Sequence, residues 1–402
     1  MSFDTQVTIP DPASGRAAYR QHARDWLAGN LPRHMLADNP DWRAPTLEES
    51  VAWEAAMHRA GLAGMTWPVQ YGGHGLTLRE HLAVNKEIGA LMMPESVSSI
   101  GKELAGPIIM AVGTEEQKST FLPRILAMQD MWCQGFSEPE AGSDLARLRT
   151  RAVPEGDSWR INGQKIWTSG AAKAQYCFLL TRTGTVADKH RGMVMFAVPM
   201  NTPGIRVAPI RSIDDKESFA EVFFDDVVVP DSARLGAPDE GWSAAIHVLS
   251  VERATNRMYR PWRVEAELGF LVRACKSDPV LAGLLAGSHA QQRIGQALAE
   301  IDGLKGLIER AVDQMVGGAP IGARGSLSKL YWSESHQSLV ALAVDLLGGI
   351  GPKSSPLARR ARDYFNNAYL FARAETIYAG TSEVQRDIIA QRILNLPTEL
   401  KA

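Results

Sequence analysis

Apolar residues recur three and four positions apart through most of the first 128 residues, most clearly over 47–60 and 78–91, and this spacing predicts amphipathic helices. Glycine- and proline-rich stretches such as WPVQYGGHG (67–75) separate them. Gly113-Thr114 opens a further helical segment, GTEEQKSTFLPRIL, with Glu115 and Glu116 where a helix N-terminus favours negative charge. Between about 130 and 232 the period changes to short β-type runs at 159–161, 165–168, 176–181, 193–198 and 220–224. Asn162-Gly163 reads as a hairpin turn between the first two of these, and residues 154–157 supply another turn. Helical spacing returns from 244 through 393, broken near 283–287, 317–325 and 348–355. The expected fold is α+β and multidomain: an N-terminal helical domain over 1–128, a middle antiparallel β domain over 129–235 and a C-terminal helical bundle over 236–402.

Length and charge narrow the function classes. A chain of 402 residues suits two or three domains of about 150 residues each. With 43 Lys and Arg against 45 Asp and Glu it carries no basic stripe for nucleic acid. No uncharged apolar run approaches the ~18 residues of a membrane span, and the first residues do not form a basic-then-apolar leader. Cys133, Cys177 and Cys275 are odd in number and never form a CxxC pair, which argues against a disulfide framework or a zinc site and for a reducing, cytoplasmic setting. Nine histidines include no metal-binding spacing, and His247 reads as an ordinary core or surface histidine; no metal is expected. The Rossmann fingerprint and the GxSxG elbow are missing, and GGIGPKSS (348–355) fails as a phosphate loop because Pro352 precedes Lys353. That stretch reads as a helix-ending turn. The cluster of Lys353, Arg359, Arg360 and Arg362 reads as a solvated helix end.

Longer strings carry more. GLAGMTWPVQYGGHG (61–75), GTEEQKSTFLPRIL (113–126), GFSEPEAGSD (135–144), INGQKIWTSGAAKAQYCFLL (161–180), FFDDVVVP (223–230) and IYAGTSEVQRDIIAQRIL (377–394) resemble, in order, the segments of the acyl-CoA dehydrogenase family. The resemblance implies FAD bound between the β domain and the C-terminal bundle, with an acyl-CoA thioester stacked on the flavin and a carboxylate base on the thioester's other side. The base removes the α-proton while the β-hydrogen leaves as hydride, giving a 2-enoyl-CoA. Removing so weakly acidic a proton calls for hydrogen-bond donors on the thioester oxygen and a desolvated carboxylate.

By the same resemblance Ser137 is the hydroxyl on the isoalloxazine, Gly142 and Ser143 lie beside the pyrophosphate, Trp167 flanks the flavin and Ser169 lies near its N5. Gln134, Phe136 and Thr168 complete the cofactor strings, and Thr381 contacts the cofactor from the closing motif. Ser143, Tyr378, Ala379 and Gly380 fall at substrate-contacting positions. A loop with a helix cap is the plain alternative for SEPEAGSD, since Ser, Glu, Gly and Asp are common there.

Three departures from the family pattern matter. The glutamate that many members carry in IYEGT is Ala379 here, which accepts no proton. A subgroup similar to isovaleryl-CoA dehydrogenase places the base before an arginine at the start of the C-terminal domain, and this chain has Glu252-Arg253 there; Glu252 is the expected base, Arg253 its orienting cation and Glu383 a structural residue. The RxxFG stretch that reaches a neighbouring subunit's FAD is missing, and the family's QxxGGxG begins with Asp345. Such losses resemble those of bacterial steroid and bulky-acyl members that assemble as α2β2 heterotetramers. The expected function is therefore dehydrogenation of a bulky or branched acyl-CoA, with an electron-transfer flavoprotein as acceptor, in a homo-oligomer or an α2β2 assembly. A non-catalytic partner subunit and a flavin monooxygenase or oxidase on the same fold are the alternatives.

Overall fold

The computed structural model describes residues 3, 8–254 and 258–397, the side chains of 250–254 excepted. Packing divides the chain into two compact units. One is Leu47–His74 with Ser96–Glu252, and the other is Met1–Thr46 with Gly75–Glu95 and Arg253–Ala402.

The first unit holds α2 (Leu47–Arg59), α4 (Gly106–Val112), α5 (Glu115–Leu126), eight strands and α6 (Gly241–Ala254), whose last two residues fall in the other unit. Helix α5 starts where the sequence predicts it. Thr114 and Gln117 form a reciprocal capping box, with Thr114 Oγ1 accepting from the Gln117 amide and Gln117 Oε1 accepting from the Thr114 amide. The buried Gln117 Nε2 also donates to the carbonyls of Ser232 and Arg234, each at 2.8 Å, which fixes the helix to the end of the β region.

The strands are β1 (Trp132–Gly135), β2 (Arg151–Glu155), β3 (Ser158–Ser169), β4 (Tyr176–Arg182), β5 (Met193–Pro199), β6 (Ile205–Ile210), β7 (Phe219–Pro230) and β8 (Arg234–Leu235). They form one sheet in the order β6-β7-β3-β2-β4-β5-β8, with β1 on β4. Most pairs are antiparallel as expected; β1 with β4 and β2 with β4 are parallel. Strands β4 and β5 are buried on both faces. The two-residue period sends Phe178, Leu180, Met193 and Met195 into a core shared with α4, α5 and α6, and sends Cys177, Leu179, Val194 and Phe196 into a second core with β3 and β7.

The turn at 154–157 is present as a tight hairpin, Gly156-Asp157, between β2 and β3. Asn162-Gly163 is not a turn. Residues 158–169 form one continuous strand, and the ladder shifts because β7 carries an extra residue at Asp225-Asp226. The Asn162 side chain exchanges two hydrogen bonds with Asp226, and Gly163 lies so close to the residue before β2 that a Cβ there would stand 2.6 Å from Thr150 Cα. The same dipeptide chemistry that makes a tight turn here fits a crowded, irregular ladder. Strands β1, β2, β6 and β8 are additional to the predicted runs.

The second unit is helical: α1 (Gly15–Asn30), α3 (Leu78–Gly89), α7 (Arg260–Lys276), α8 (Pro279–Ala286), α9 (Ser288–Val316), α10 (Gly325–Leu347), α11 (Pro356–Ala372) and α12 (Ser382–Arg392). The breaks expected near 283–287, 317–325 and 348–355 separate α8 from α9, α9 from α10 and α10 from α11. One apolar core joins α7 to α11, with Phe270, Leu271, Val340, Ala343 and Phe365 shut off from solvent. Each of the Phe, Leu and Val side chains contributes roughly 1.5–3 kcal/mol. The basic cluster is only partly a solvated helix end. Arg359 is exposed, but Arg360 is half-buried, its guanidinium 4.0 Å from the Trp42 ring centroid and its Nε donating to the Ala37 carbonyl.

No helix among the described residues is long and apolar enough to cross a membrane. The three cysteines are free and buried. No group of three His, Cys, Asp or Glu among the described residues is placed to hold a metal.

Candidate active site

The two β-region strings that resemble flavin contacts meet through backbone and a buried ion pair. Past β1 the chain makes a tight reversal, in which Glu138 and Ala141 exchange amide-to-carbonyl hydrogen bonds at 3.1 and 3.0 Å. Ile166 N–H donates to the Ser137 carbonyl at 2.9 Å, bringing Ser137 beside the 167–169 segment. Beneath this junction Lys165 is fully buried, its Nζ donating to the Phe136 carbonyl at 3.0 Å and to Glu138 Oε1 at 2.8 Å. The Glu138 carboxylate also accepts from the Arg149 and Thr150 amides at 2.5 and 2.9 Å. Burial pushes the Glu138 carboxyl up, but Lys165 and these donors hold it below its ordinary value; burial lowers Lys165, opposed by Glu138. Lys165 thus ties the start of the SEPEAGSD loop to β3, and the Arg149 and Thr150 amides tie it to the chain entering β2.

At the end of β3 a second irregularity places the extra residue on β3 itself, between Lys165 and Thr168. Trp167 there adopts φ 61° and turns outward, leaving it 58% exposed, its ring meeting Phe219 edge-on. A bulge is the device by which a strand re-aims one side chain. Thr168 turns inward and its buried hydroxyl has no hydrogen-bond partner among the described residues. Gly142 and Ser143 are exposed, and a Cβ at Gly142 would meet nothing within 4 Å. An outward indole, a neighbouring unsatisfied hydroxyl and an open glycine fit a planar cofactor with a polar rim. Gln134 and Ser137 are half-buried. The Phe136 ring lies in the core, edge-on to Phe178 at 5.4 Å, and its carbonyl accepts from Lys165.

The closing motif belongs to the helical unit. Tyr378, Ala379, Gly380 and Thr381 form the turn into α12, with Ala379 at φ 55° and Gly380 at φ 88°. Thr381 caps α12, its Oγ1 accepting from the Val384 amide at 3.3 Å. Gln385, fully buried, donates from Nε2 to the Ala379 carbonyl at 2.9 Å and the Gly380 carbonyl at 3.2 Å. Arg260 lies over the Trp332 ring at 3.5 Å and reaches the Tyr378 hydroxyl at 3.4 Å. Glu383 is exposed, and its carboxyl is held below its ordinary value by its own backbone N–H and by the Thr381 hydroxyl. Glu252 and Arg253 lie in the last turn of α6, and their side chains fall outside the described residues.

Sequence reasoning did not single out Lys165 and Glu138. The signal was present: Lys165 shares the inward parity of Ile161 on β3, an uncommon place for a lysine without a partner. Nor did it find a buried network in the bundle. His336 Nδ1 lies 2.7 Å from Glu375 Oε2 and Nε2 lies 3.1 Å from Glu267 Oε2; Tyr364 and Arg263 also donate to Glu267.

A helical first third, a mixed β middle and a helical bundle, with an outward tryptophan beside a pinned acidic-glycine loop, define a flavoprotein oxidoreductase architecture. The chain belongs to the acyl-CoA dehydrogenase family, whose cofactor is FAD. The family's N-terminal, middle and C-terminal domain models match residues 15–129, 133–227 and 239–394. Acyl-CoA dehydrogenase IpdE1 of Mycobacterium tuberculosis is 37% identical over 394 residues, which cover 95% of this chain and 98% of that one. Among solved structures, the Tcur3481-Tcur3483 steroid ACAD superposes with a TM-score of 0.83 at 27% identity, covering 98% of this chain and 100% of its own. The ChsE4-ChsE5 complex of Mycobacterium tuberculosis gives 0.78 at 29% identity, covering 98% and 99%.

Proposed function

We propose that this chain dehydrogenates the α,β-bond of a bulky, ring-bearing or branched acyl-CoA thioester, with Glu252 as the base and Arg253 as the cation that orients it. The observation that carries this reading is Ala379: the closing turn offers a methyl group in a left-handed backbone where many members carry the catalytic carboxylate, so the proton needs another acceptor. Glu252-Arg253 supplies one. FAD, when bound, accepts the hydride. Ser137, Gly142, Ser143, Trp167, Thr168, Ser169 and Thr381 are the residues that would hold it, and Ser143, Tyr378, Ala379 and Gly380 would meet the acyl-CoA. The outward Trp167 offers a face to stack on, the unsatisfied Thr168 hydroxyl a polar contact and the open flank at Gly142 room for a phosphate. A steroid-type acyl group is supported by the likeness to the Tcur3481-Tcur3483 steroid ACAD.

Assembly as α2β2 with a homologous subunit accords with the two-component names of both structural neighbours and with Asp345, whose carboxylate pairs with Arg293 at 2.8 Å where glutamine is usual. An electron-transfer flavoprotein is the proposed acceptor, and three free buried cysteines accord with a cytoplasmic setting. The deciding experiment mixes FAD-loaded protein, alone and co-expressed with a homologous subunit, with straight, branched and ring-bearing acyl-CoA thioesters under anaerobic conditions and follows flavin bleaching. Ring-bearing thioesters should bleach fastest. Glu252→Gln should slow bleaching by at least ~10², the lower end of general-base contributions, with FAD still bound, while Glu383→Gln stays within a few-fold. A Glu252→Gln protein that bleaches at the wild-type rate, in a complex that turns over, would assign the base to the partner and this chain to a supporting role.

A further inference from the structure

The closing turn lacks a sheet to hold it, yet it keeps Ala379, a residue with a Cβ, at φ 55°. Such a residue costs roughly 1–2 kcal/mol and persists only where its surroundings over-determine it. The restraint upstream of the turn comes from α10. Gln337 Nε2 donates to the Ala372 carbonyl at 2.6 Å and to Thr376 Oγ1 at 3.1 Å. Its neighbour His336 meets Glu375, which is 4% exposed, at 2.7 Å and holds Glu267 of α7 with its other ring nitrogen at 3.1 Å. Both nitrogens face carboxylates, so the ring is a doubly donating imidazolium. Glu267 is held in turn by Tyr364 Oη at 2.5 Å and Arg263 Nε at 3.1 Å, and Arg263 also reaches the Met93 carbonyl. Two cations and two carboxylates balance inside the bundle.

We infer that the Glu267–His336–Glu375 chain is a positioning clamp: it ties the segment leading into Tyr378-Ala379-Gly380 to α7 and α10 and so sets the backbone that the closing turn presents to substrate and cofactor. Replacing either carboxylate by an apolar group leaves a buried imidazolium with one partner and frees the turn on one side. The clamp touches neither substrate nor reacting atoms. Its functional consequence rests on the reading that residues 378–381 face the ligands.

The experiment is amide hydrogen exchange on the FAD-loaded protein, in the assembly in which it purifies, combined with the visible spectrum and reduction rate of the flavin. The reporters are the Ile377, Tyr378 and Ser382 amides, which donate to the carbonyls of Ala374, Ala374 and Thr376. Glu375→Ala should speed their exchange by at least ~10-fold and leave α9 unchanged within about two-fold, because local opening is governed by local contacts. Glu375→Gln, which still accepts the Nδ1 proton, should restore most of the protection. Glu375→Asp, which leaves no buried cation unpaired but draws the carboxylate back by one methylene, gives the same answer at smaller amplitude if the alanine variant does not fold. Wild-type exchange at the three reporters, or a rise that α9 shares equally, overturns the clamp. Faster exchange with an unchanged flavin spectrum and reduction rate upholds the clamp and removes residues 378–381 from the ligand surface.

Discussion

Trp167 and Ala379 each adopt a left-handed backbone beside residues proposed to meet ligands, but the two are held differently. Trp167 interrupts a strand whose ladder resumes on either side, at Lys165↔Val222 and Thr168↔Ala220. One buried ion pair, Lys165–Glu138, is enough to add the neighbouring loop. Ala379 sits between helices, where its neighbours' carbonyls have no ladder to join, so Gln385, Gln337 and the His336 clamp take that role through side chains. A backbone lattice holds a strained residue with few specialised side chains; a helical bundle needs several, drawn from separate helices.

The contrast also explains what the sequence discloses. Helices α2, α3 and α5 follow from period, because each buries one stripe, and strands β4 and β5 follow from short continuous apolar runs, because both their faces are buried. The proposed β-region site is legible as strings, since residues 134–143 and 165–169 are short segments that carry both the local fold and the residues proposed to hold the cofactor. The clamp is not legible: Arg263 and Glu267 on α7, His336 on α10, Tyr364 on α11 and Glu375 beyond it lie up to about 110 residues apart, and none alone signals a buried network. Asn162-Gly163 misleads for the opposite reason, because a local turn signal is overridden by pairing across the sheet.

The largest expected effect breaks the lattice side. Lys165→Met leaves the Glu138 carboxylate buried without its counter-ion and should cost about 3–5 kcal/mol, read as a lowered urea midpoint, with release of the 138–143 loop. Adding Glu138→Gln removes the stranded charge and should return part of the loss. Full wild-type stability in Lys165→Met would mean that the ladder alone holds the loop.

A smaller effect separates the two sides by pH. The two carboxylates, Glu375 and Glu267, overcome burial and push His336 up to about 10 from its ordinary 6.5. Its stabilisation is complete below about 6.5 and is lost as pH rises through about 10. Burial would raise Glu267, but His336 first and then Arg263 and Tyr364 hold it at about 2, so its share is present above about 4.5 and lost as pH falls toward 2. Glu138, also held low, loses its share in acid as well, and Lys165 adds no alkaline loss because its folded value is depressed. Between pH 6.5 and 9.5 the urea midpoint should therefore fall by more in the wild type than in His336→Gln, whereas Glu138→Gln should flatten only the acid limb. Equal alkaline slopes for wild type and His336→Gln would contradict the imidazolium.

Next comes Gly380→Ala. At φ 88° an alanine is strained, and its Cβ would stand 2.4 Å from Gln385 Nε2, displacing the amide that holds the turn. The backbone conformation alone should cost roughly 1–2 kcal/mol, read as a lowered urea midpoint, and the broken Gln385 hydrogen bonds should add to it. An unchanged midpoint would mean that the turn relaxes freely, without the restraint assigned to Gln385.

The smallest effect is the most discriminating. Ala379→Gly relieves a left-handed Cβ, worth roughly 1–2 kcal/mol, but frees the unfolded chain by roughly 0.5–1 kcal/mol, so the net gain should stay within about 1.5 kcal/mol. What changes is the restraint. With alanine, the left-handed conformation is held against its own preference by Gln385, Gln337 and the clamp; with glycine it needs no holding. Glu375→Ala placed on the Ala379→Gly background should therefore perturb flavin reduction less than it does on the wild type, a coupling read from a double-mutant cycle. Strictly additive effects would show that the clamp and the left-handed residue act independently, and that the side chains around the closing turn stabilise the bundle without setting the conformation of the turn.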